Sequence, residues 1–251
     1  MLLATDAVVL HAFDYMESSR IVRLATREAG VVSVLARGVR RPKSRFGGSL
    51  DLFTAGVAQL SMRAGRDLQS LTVFDVTRSR HQLASSMPRF TAAAAVAELA
   101  LRFLGEEPHP EAFEILTATL DELAESAPGD AAFAALAGAW HLVAELGFGP
   151  VLQECATCHD PVLADDPAPF SHRAGGVLCS RCAARAPGGR PLPPAARAAL
   201  SAWIAGQPYP AGGRAELAAH QRLLRLFVQA HLSEGRILPA FEVWERERWE
   251  R

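Results

Sequence analysis

Short segments of alternating apolar and polar residues fill the first third of the chain, and helical spacing takes over after it. Positions 6–13 (DAVVLHAF), 19–27 (SRIVRLATR), 31–37 (VVSVLAR), 55–63 (AGVAQLSMR) and 68–77 (LQSLTVFDVT) are rich in β-branched residues and partly alternate, the pattern of half-buried strands. Turn formers separate them at Asp14, Glu28-Ala29-Gly30, Gly47-Gly48 and Gly65-Arg66-Asp67. Beyond Pro88 the period changes: Arg89 to Leu104 is an Ala-rich apolar run, and Phe113, Leu116, Leu120 and Leu123 recur at helical spacing. Phe133, Leu136, Trp140 and Val143 repeat that spacing after an N-cap expected at Asp130, and Gly147 and Pro150 supply a stop. Pro193-Pro194 opens a further helix to about Ile204, and Leu217, Leu224, Phe227, Val228 and His231 mark a last long one. The tail from Phe241 to Arg251 alternates Glu and Arg around Trp244 and Trp249, with too few apolar anchors to fold alone. It is expected to be frayed or held by a partner.

Short strands packed this densely suggest a small closed barrel, with an oligonucleotide/oligosaccharide-binding (OB) type favoured over an SH3-like one. The expected class is α+β and multi-domain: a five-stranded OB-type β-barrel over 1–80, then an α-helical domain over 81–251 carrying a four-cysteine zinc-ribbon-like insert at about 151–186. The only long gap between strands, roughly 38–54, separates the third from the fourth.

Composition fits a globular chain: 251 residues, 49% hydrophobic and 21% charged. The opening MLLATDAVVL lacks the basic n-region and cleavage site of a signal peptide, and no apolar run approaches the ~20 residues of a membrane span. No membrane association and a cytoplasmic, nucleoid-associated location are therefore expected. A net charge of −1 conceals an asymmetry, because residues 1–80 carry 12 basic against 7 acidic side chains and the remainder carries 14 against 20. The positive end is the barrel. Only Lys43 among the 26 basic residues is a lysine, a bias that carries no functional weight.

All four cysteines fall into one pattern, Cys155-Ala-Thr-Cys158 and, twenty residues on, Cys179-Ser-Arg-Cys182. Two such knuckles converge four thiolates on one tetrahedral Zn2+, one ion per chain, with no open coordination position, so the site is structural. A disulfide pair and a thioredoxin-like redox motif are the competing readings, and His159 or His172 could substitute as a ligand. His109-Pro110-Glu111 followed by C-x2-C imitates the zinc deaminase signature, but neither cysteine pair follows a proline; a helix start explains Pro110 and Glu111 better. There is no phosphate-binding P-loop, dinucleotide fingerprint, nucleophile elbow or H-E-x-x-H. His141 and His231 read as structural, Asp165-Asp166 as a solvated loop, and the chain as a non-enzyme with no catalytic residues.

The stretch LARGVRRPKSRFGG, Leu35 to Gly48, sets Arg37, Arg40, Arg41, Lys43 and Arg45 without an acidic neighbour inside the long gap. Gly38, Gly47-Gly48 and Pro42 shape such a loop so that guanidinium forks spread along phosphates, and Phe46 either offers a face for a base or packs beneath the loop. The barrel, G-V-R-R-P-K-S-R-F-G-G-S-L with D-L-F-T after it, the opening V-L-H-A-F-D-Y-M-E-S-S-R and the paired C-x2-C motifs together resemble the RecO recombination-mediator family over essentially the whole chain. The resemblance implies a protein that binds single- and double-stranded DNA, anneals complementary strands and, with RecR, helps replace single-stranded DNA-binding protein by RecA in RecF-pathway repair. It implies DNA contact at Gly38, Arg40, Arg41, Lys43, Ser44 and Arg45, to which Arg37 and Phe46 are added by position, and metal at Cys155, Cys158, Cys179 and Cys182. It also implies that the helical domain docks the C-terminal tail of single-stranded DNA-binding protein. The rival class is a zinc-stapled protein–protein adaptor whose basic loop is only a solvated surface.

Overall fold

The computed structural model describes residues 1–41, 44, 46, 48–185, 188–208, 212–232 and 236–246. Two compact units make up the chain, Met1–Pro128 and Gly129–Arg251.

In the first unit, β1 (Leu2–Tyr15), β2 (Ser19–Thr26), β3 (Gly30–Ala36), β4 (Ala55–Ser61) and β5 (Leu68–Arg78) close into a barrel in the order β1-β2-β3-β5-β4. Every neighbouring pair is antiparallel except β3 with β5. Alternation explains the closure: Val22 and Leu24 of β2, Val32 and Val34 of β3, Ala58 and Leu60 of β4, and Leu71 and Phe74 of β5 all turn inward to one core. At the β2–β3 turn Gly30 has φ +59°, and a Cβ there would lie 2.2 Å from the Gly105 carbonyl oxygen. Glycine is required twice over, by the left-handed backbone and by the close approach.

Three helices belong to the same unit: α1 (His81–Ala84), α2 (Met87–Phe103) and α3 (Pro110–Glu125). Small residues bury α2 around much of its circumference, through Ala92, Ala93, Ala95, Ala97 and Ala100. Pro110 and Glu111 open α3 in its first turn, the role that the residue types suggest.

The second unit holds α4 (Ala131–Val143), a π-turn over Ala144–Phe148, a small sheet of β6 (Ala168–Ser171), β7 (Gly176–Val177) and β8 (Arg190–Leu192), and α5 (Ser180–Arg185), α6 (Pro194–Ile204), α7 (Arg214–His231) and α8 (Pro239–Arg246). Asp130 stands at the N-cap of α4, but its side chain makes no capping bond. Ala131–Phe148 is 18 residues long and apolar enough, by length and composition, to cross a membrane; half of it is buried inside the protein. Leu136, Trp140 and Val143 are fully enclosed there, which accounts for the apolarity as core packing.

The tail corrects the sequence expectation over its described part. Phe241 and Trp244 of α8 are buried and meet edge to face at 5.7 Å. Gln221 of α7 donates to the Trp244 carbonyl at 3.3 Å, and Glu245 accepts from Arg222 and Arg225. Two aromatic anchors suffice because α7 offers both an apolar stripe and the complementary guanidinium groups. Trp249 lies outside the described residues.

Candidate nucleic-acid interface and metal centre

The segment after β3 is a chain of tight turns. Arg41 N–H donates to the Gly38 carbonyl at 3.2 Å, Ser44 N–H to the Arg41 carbonyl at 2.9 Å, Phe46 N–H to Ser44 Oγ at 3.2 Å and Ser49 N–H to the Phe46 carbonyl at 2.8 Å. Gly38 begins the series at φ +72°. Val39, Phe46 and Leu50 point the other way, and all three join the barrel core. Three apolar plugs hold the described residues of this charged run against the barrel.

That arrangement decides between the two readings of Phe46 and removes it from the DNA-contacting residues. Its ring is 2% exposed and packs among β-strand side chains, so it offers no face to a base. The hydrophobic gain of burying a phenyl ring outweighs its exposure beside charges.

Arg37, Arg40 and Arg41 are exposed, and Ser44 is half-buried. Arg40 reaches Asp14 at 3.3 Å, and Arg20 reaches the same carboxylate at 3.0 Å. Arg40 N–H also donates to the Ser18 carbonyl at 3.1 Å, which ties the loop to the β1–β2 turn. Arg37 and Arg41 make no ion pair among the described residues. Lys43 and Arg45 lie outside the described residues. Sequence patterning misses Asp14 and Arg20 as neighbours of the loop, since only the barrel register brings the β1–β2 hairpin to it.

The four cysteines converge. Cys155, Cys158, Cys179 and Cys182 place their sulfurs within 4.8 Å of one another, and no two are bridged. The Cys158 and Cys179 sulfurs are 3.7 Å apart, close to the ~3.8 Å edge of a tetrahedron with metal–sulfur bonds of about 2.3 Å. Backbone geometry presents them: Cys155 N–H donates to the Asp160 carbonyl at 2.8 Å and His159 N–H to the Cys155 carbonyl at 2.9 Å, closing the first knuckle. Gly176 lets the strands meet, because a Cβ there would lie 2.2 Å from the Val151 carbonyl oxygen. Burial opposes ionisation of Cys155, yet N–H donors from Cys179, Cys158 and Thr157 outweigh it and bring the thiol down to about 6. The Cys158 side chain, burial and the other two sulfurs push Cys182 up to about 12. Four thiolates in such a space repel one another, and a divalent cation removes that repulsion. The donor set therefore fits a metal ion with a closed, all-sulfur sphere.

Two family models match the chain, Recombination protein O N terminal over residues 1–80 and Recombination protein O C terminal over residues 84–237. The chain belongs to the RecO family. Proteins named DNA repair protein RecO are similar over most of its length: that of Anaeromyxobacter sp. (strain K) is 41% identical over 77% of this chain and 75% of its own. That of Rubrobacter xylanophilus is 34% identical over 89% and 90%, and that of Thermobifida fusca 35% over 92% and 93%. The family is one of DNA repair and recombination proteins, as these names state, and the five-strand barrel is its N-terminal domain.

Within this RecO-family chain no histidine nitrogen joins the sulfur cluster among the described residues. His159 pairs with Glu154 at 2.7 Å. His172 packs edge to face on Phe170 at 5.3 Å, and His231 Nε2 meets the His172 carbonyl. His172 and His231 thus make packing contacts in the second unit, as the sequence suggests for His231.

Proposed function

We propose that this protein is a non-enzymatic recombination mediator that binds DNA through Arg37, Gly38, Arg40, Arg41, Lys43, Ser44 and Arg45. Residues 1–80 are the DNA-binding barrel and residues 81–251 the helical part. It anneals complementary single strands and, with RecR, helps replace single-stranded DNA-binding protein by RecA in the cytoplasm. The observation that carries this reading is the pinned loop: exposed arginines on a scaffold anchored by Val39, Phe46 and Leu50. Arginines on an anchored scaffold meet a flexible polyphosphate without a large ordering cost of the scaffold's own. Complementary strands repel through their phosphates, so neutralising both backbones lowers the barrier to pairing, and sequence is read by the bases themselves.

The metal is read as one structural Zn2+ on Cys155, Cys158, Cys179 and Cys182. Zinc bound by four thiolates has no free position for water, so it supplies folding energy and no chemistry.

The tail of single-stranded DNA-binding protein is assigned to the second unit. A groove of about 750 Å³ there is lined by Leu192, Leu223 and Leu226 with Arg190, Arg222, Glu216 and Glu245 around them, and its apolar lining suits the hydrophobic end of that peptide.

Gel-shift titration of an oligonucleotide at two salt concentrations tests the DNA reading. Four or five loop cations on phosphates give a log-log slope of about −3 for single strands. Salt-independent or absent binding leaves the adaptor reading in its place.

A further inference from the structure

Phe46 is inside the barrel, whereas another row of rings stands outside it. Past the register shift between Val9 and His11, Ala12 pairs with Val22 and packs on the core. Alternation then turns His11, Phe13 and Tyr15 to the outer face. Phe13 is 45% exposed and Tyr15 36%, and the His11 and Phe13 rings stand 5.8 Å apart. Across the sheet Phe13 pairs with Ile21, and Ile21 with Leu35, so two half-exposed aliphatic side chains continue the surface beside the rings. β4 pairs with β1 only as far as Val8, and this end of β1 projects beyond it.

Cations border the row. Asp14, between the two rings in sequence, holds Arg20 and Arg40 at 3.0 and 3.3 Å. Arg37 follows directly on β3, in which Ala36 pairs with Arg20. A single exposed apolar residue needs no explanation; an aromatic row edged by guanidinium groups matches the two halves of a nucleotide, a π-face and a phosphate.

We infer that Phe13 and Tyr15 form a base-stacking platform for single-stranded nucleic acid, set beside the phosphate-binding loop on the outer face of β1 and β2. The inference rests on the DNA-binding reading above and adds to it the part of the ligand that the loop does not touch. Stacking on these rings is indifferent to base identity, because every base presents a π-face. The loop neutralises the backbone while the rings hold bases unpaired and splayed outward.

Fluorescence anisotropy with two labelled probes of equal length, oligo(dT) and an abasic oligonucleotide, tests this on the full chain. Phe13→Leu with Tyr15→Leu keeps apolar volume and removes both π-faces. The pair is expected to weaken oligo(dT) binding by about ten-fold or more and to leave abasic binding unchanged. Phe13→Tyr with Tyr15→Phe keeps both rings and retains wild-type affinity for oligo(dT). Equal loss on both probes, or loss on neither, overturns the platform and leaves the row to a protein partner. Failure of the wild type to bind either probe overturns instead the DNA-binding reading beneath it.

Discussion

The Arg80 guanidinium donates from Nη1 to the Phe53 carbonyl at 2.7 Å, across a side chain that is only 2% exposed. Its Nε donates to Asp121 at 2.6 Å and its Nη2 to the Thr117 carbonyl at 3.3 Å. Phe53 sits at φ +67°, strained for a non-glycine residue, and its ring meets Phe90 edge to face at 5.9 Å. One buried cation thus fastens the end of the 38–54 loop to α3. Arg80→Met leaves the Phe53 and Thr117 carbonyls without this donor, while the partly exposed Asp121 keeps Arg78, and is expected to cost roughly 1–3 kcal/mol. Thermal denaturation reads this as a fall in Tm; an unchanged Tm would sink the clamp.

The loop's anchors and its charges separate by mutation. Phe46→Ala removes a plug from the barrel core and should destabilise by about 3–5 kcal/mol. Arg41→Ala, at the exposed surface, should stay within about 0.5 kcal/mol of wild type while weakening oligonucleotide binding. Denaturant titration beside gel shift distinguishes the two, and a Phe46→Ala variant of wild-type stability would place the ring outside the core after all.

Much of this was legible in the chain. Strand alternation announced the barrel, because Val22, Leu24, Val32 and Val34 each bury one face of a two-residue repeat. The C-x2-C spacing announced the sulfur cluster. Phe46 was not legible, since one aromatic residue inside a basic run has no neighbours of its own period to reveal whether it plugs a core or faces a base. Nor was α8: its Glu and Arg alternation resembles a solvated tail until Arg222 and Arg225 of α7 are seen to meet Glu245. Strands as short as β7 and β8, of two and three residues, carry no period at all.

Metal removal should act on structure alone. Elemental analysis is expected to give one zinc per chain, and a chelator should lower Tm. Cys179→Ser should lose the metal and much of that stability. Metal-free protein with four freely titrating thiols and an unchanged Tm would contradict the assignment.

Acid should weaken the second unit. Burial holds His220 below the ordinary imidazole value against the opposing pull of Glu216, and neither ring nitrogen has a hydrogen-bond partner among the described residues. Burial, with the charges of Arg190 and His231, lowers His172 as well. Both groups favour the neutral form when folded, so the unfolded chain binds more protons. Stability is then complete above about pH 6.5 and declines as pH falls below it. Melting curves from pH 7.5 to 5 should show that fall, and His220→Leu should make it shallower; an equal slope in the variant would exclude His220 as a contributor.

The central claim is that the loop cations neutralise DNA backbones and so promote pairing. Its most direct measurement is the annealing rate of complementary strands, with the salt dependence of single-strand binding, for Arg40→Ala, Arg41→Ala and Arg45→Ala combined. The expected result is slower annealing and a slope flattened from about −3, with wild-type Tm. A triple variant that annealed at the wild-type rate and kept the wild-type slope would contradict it.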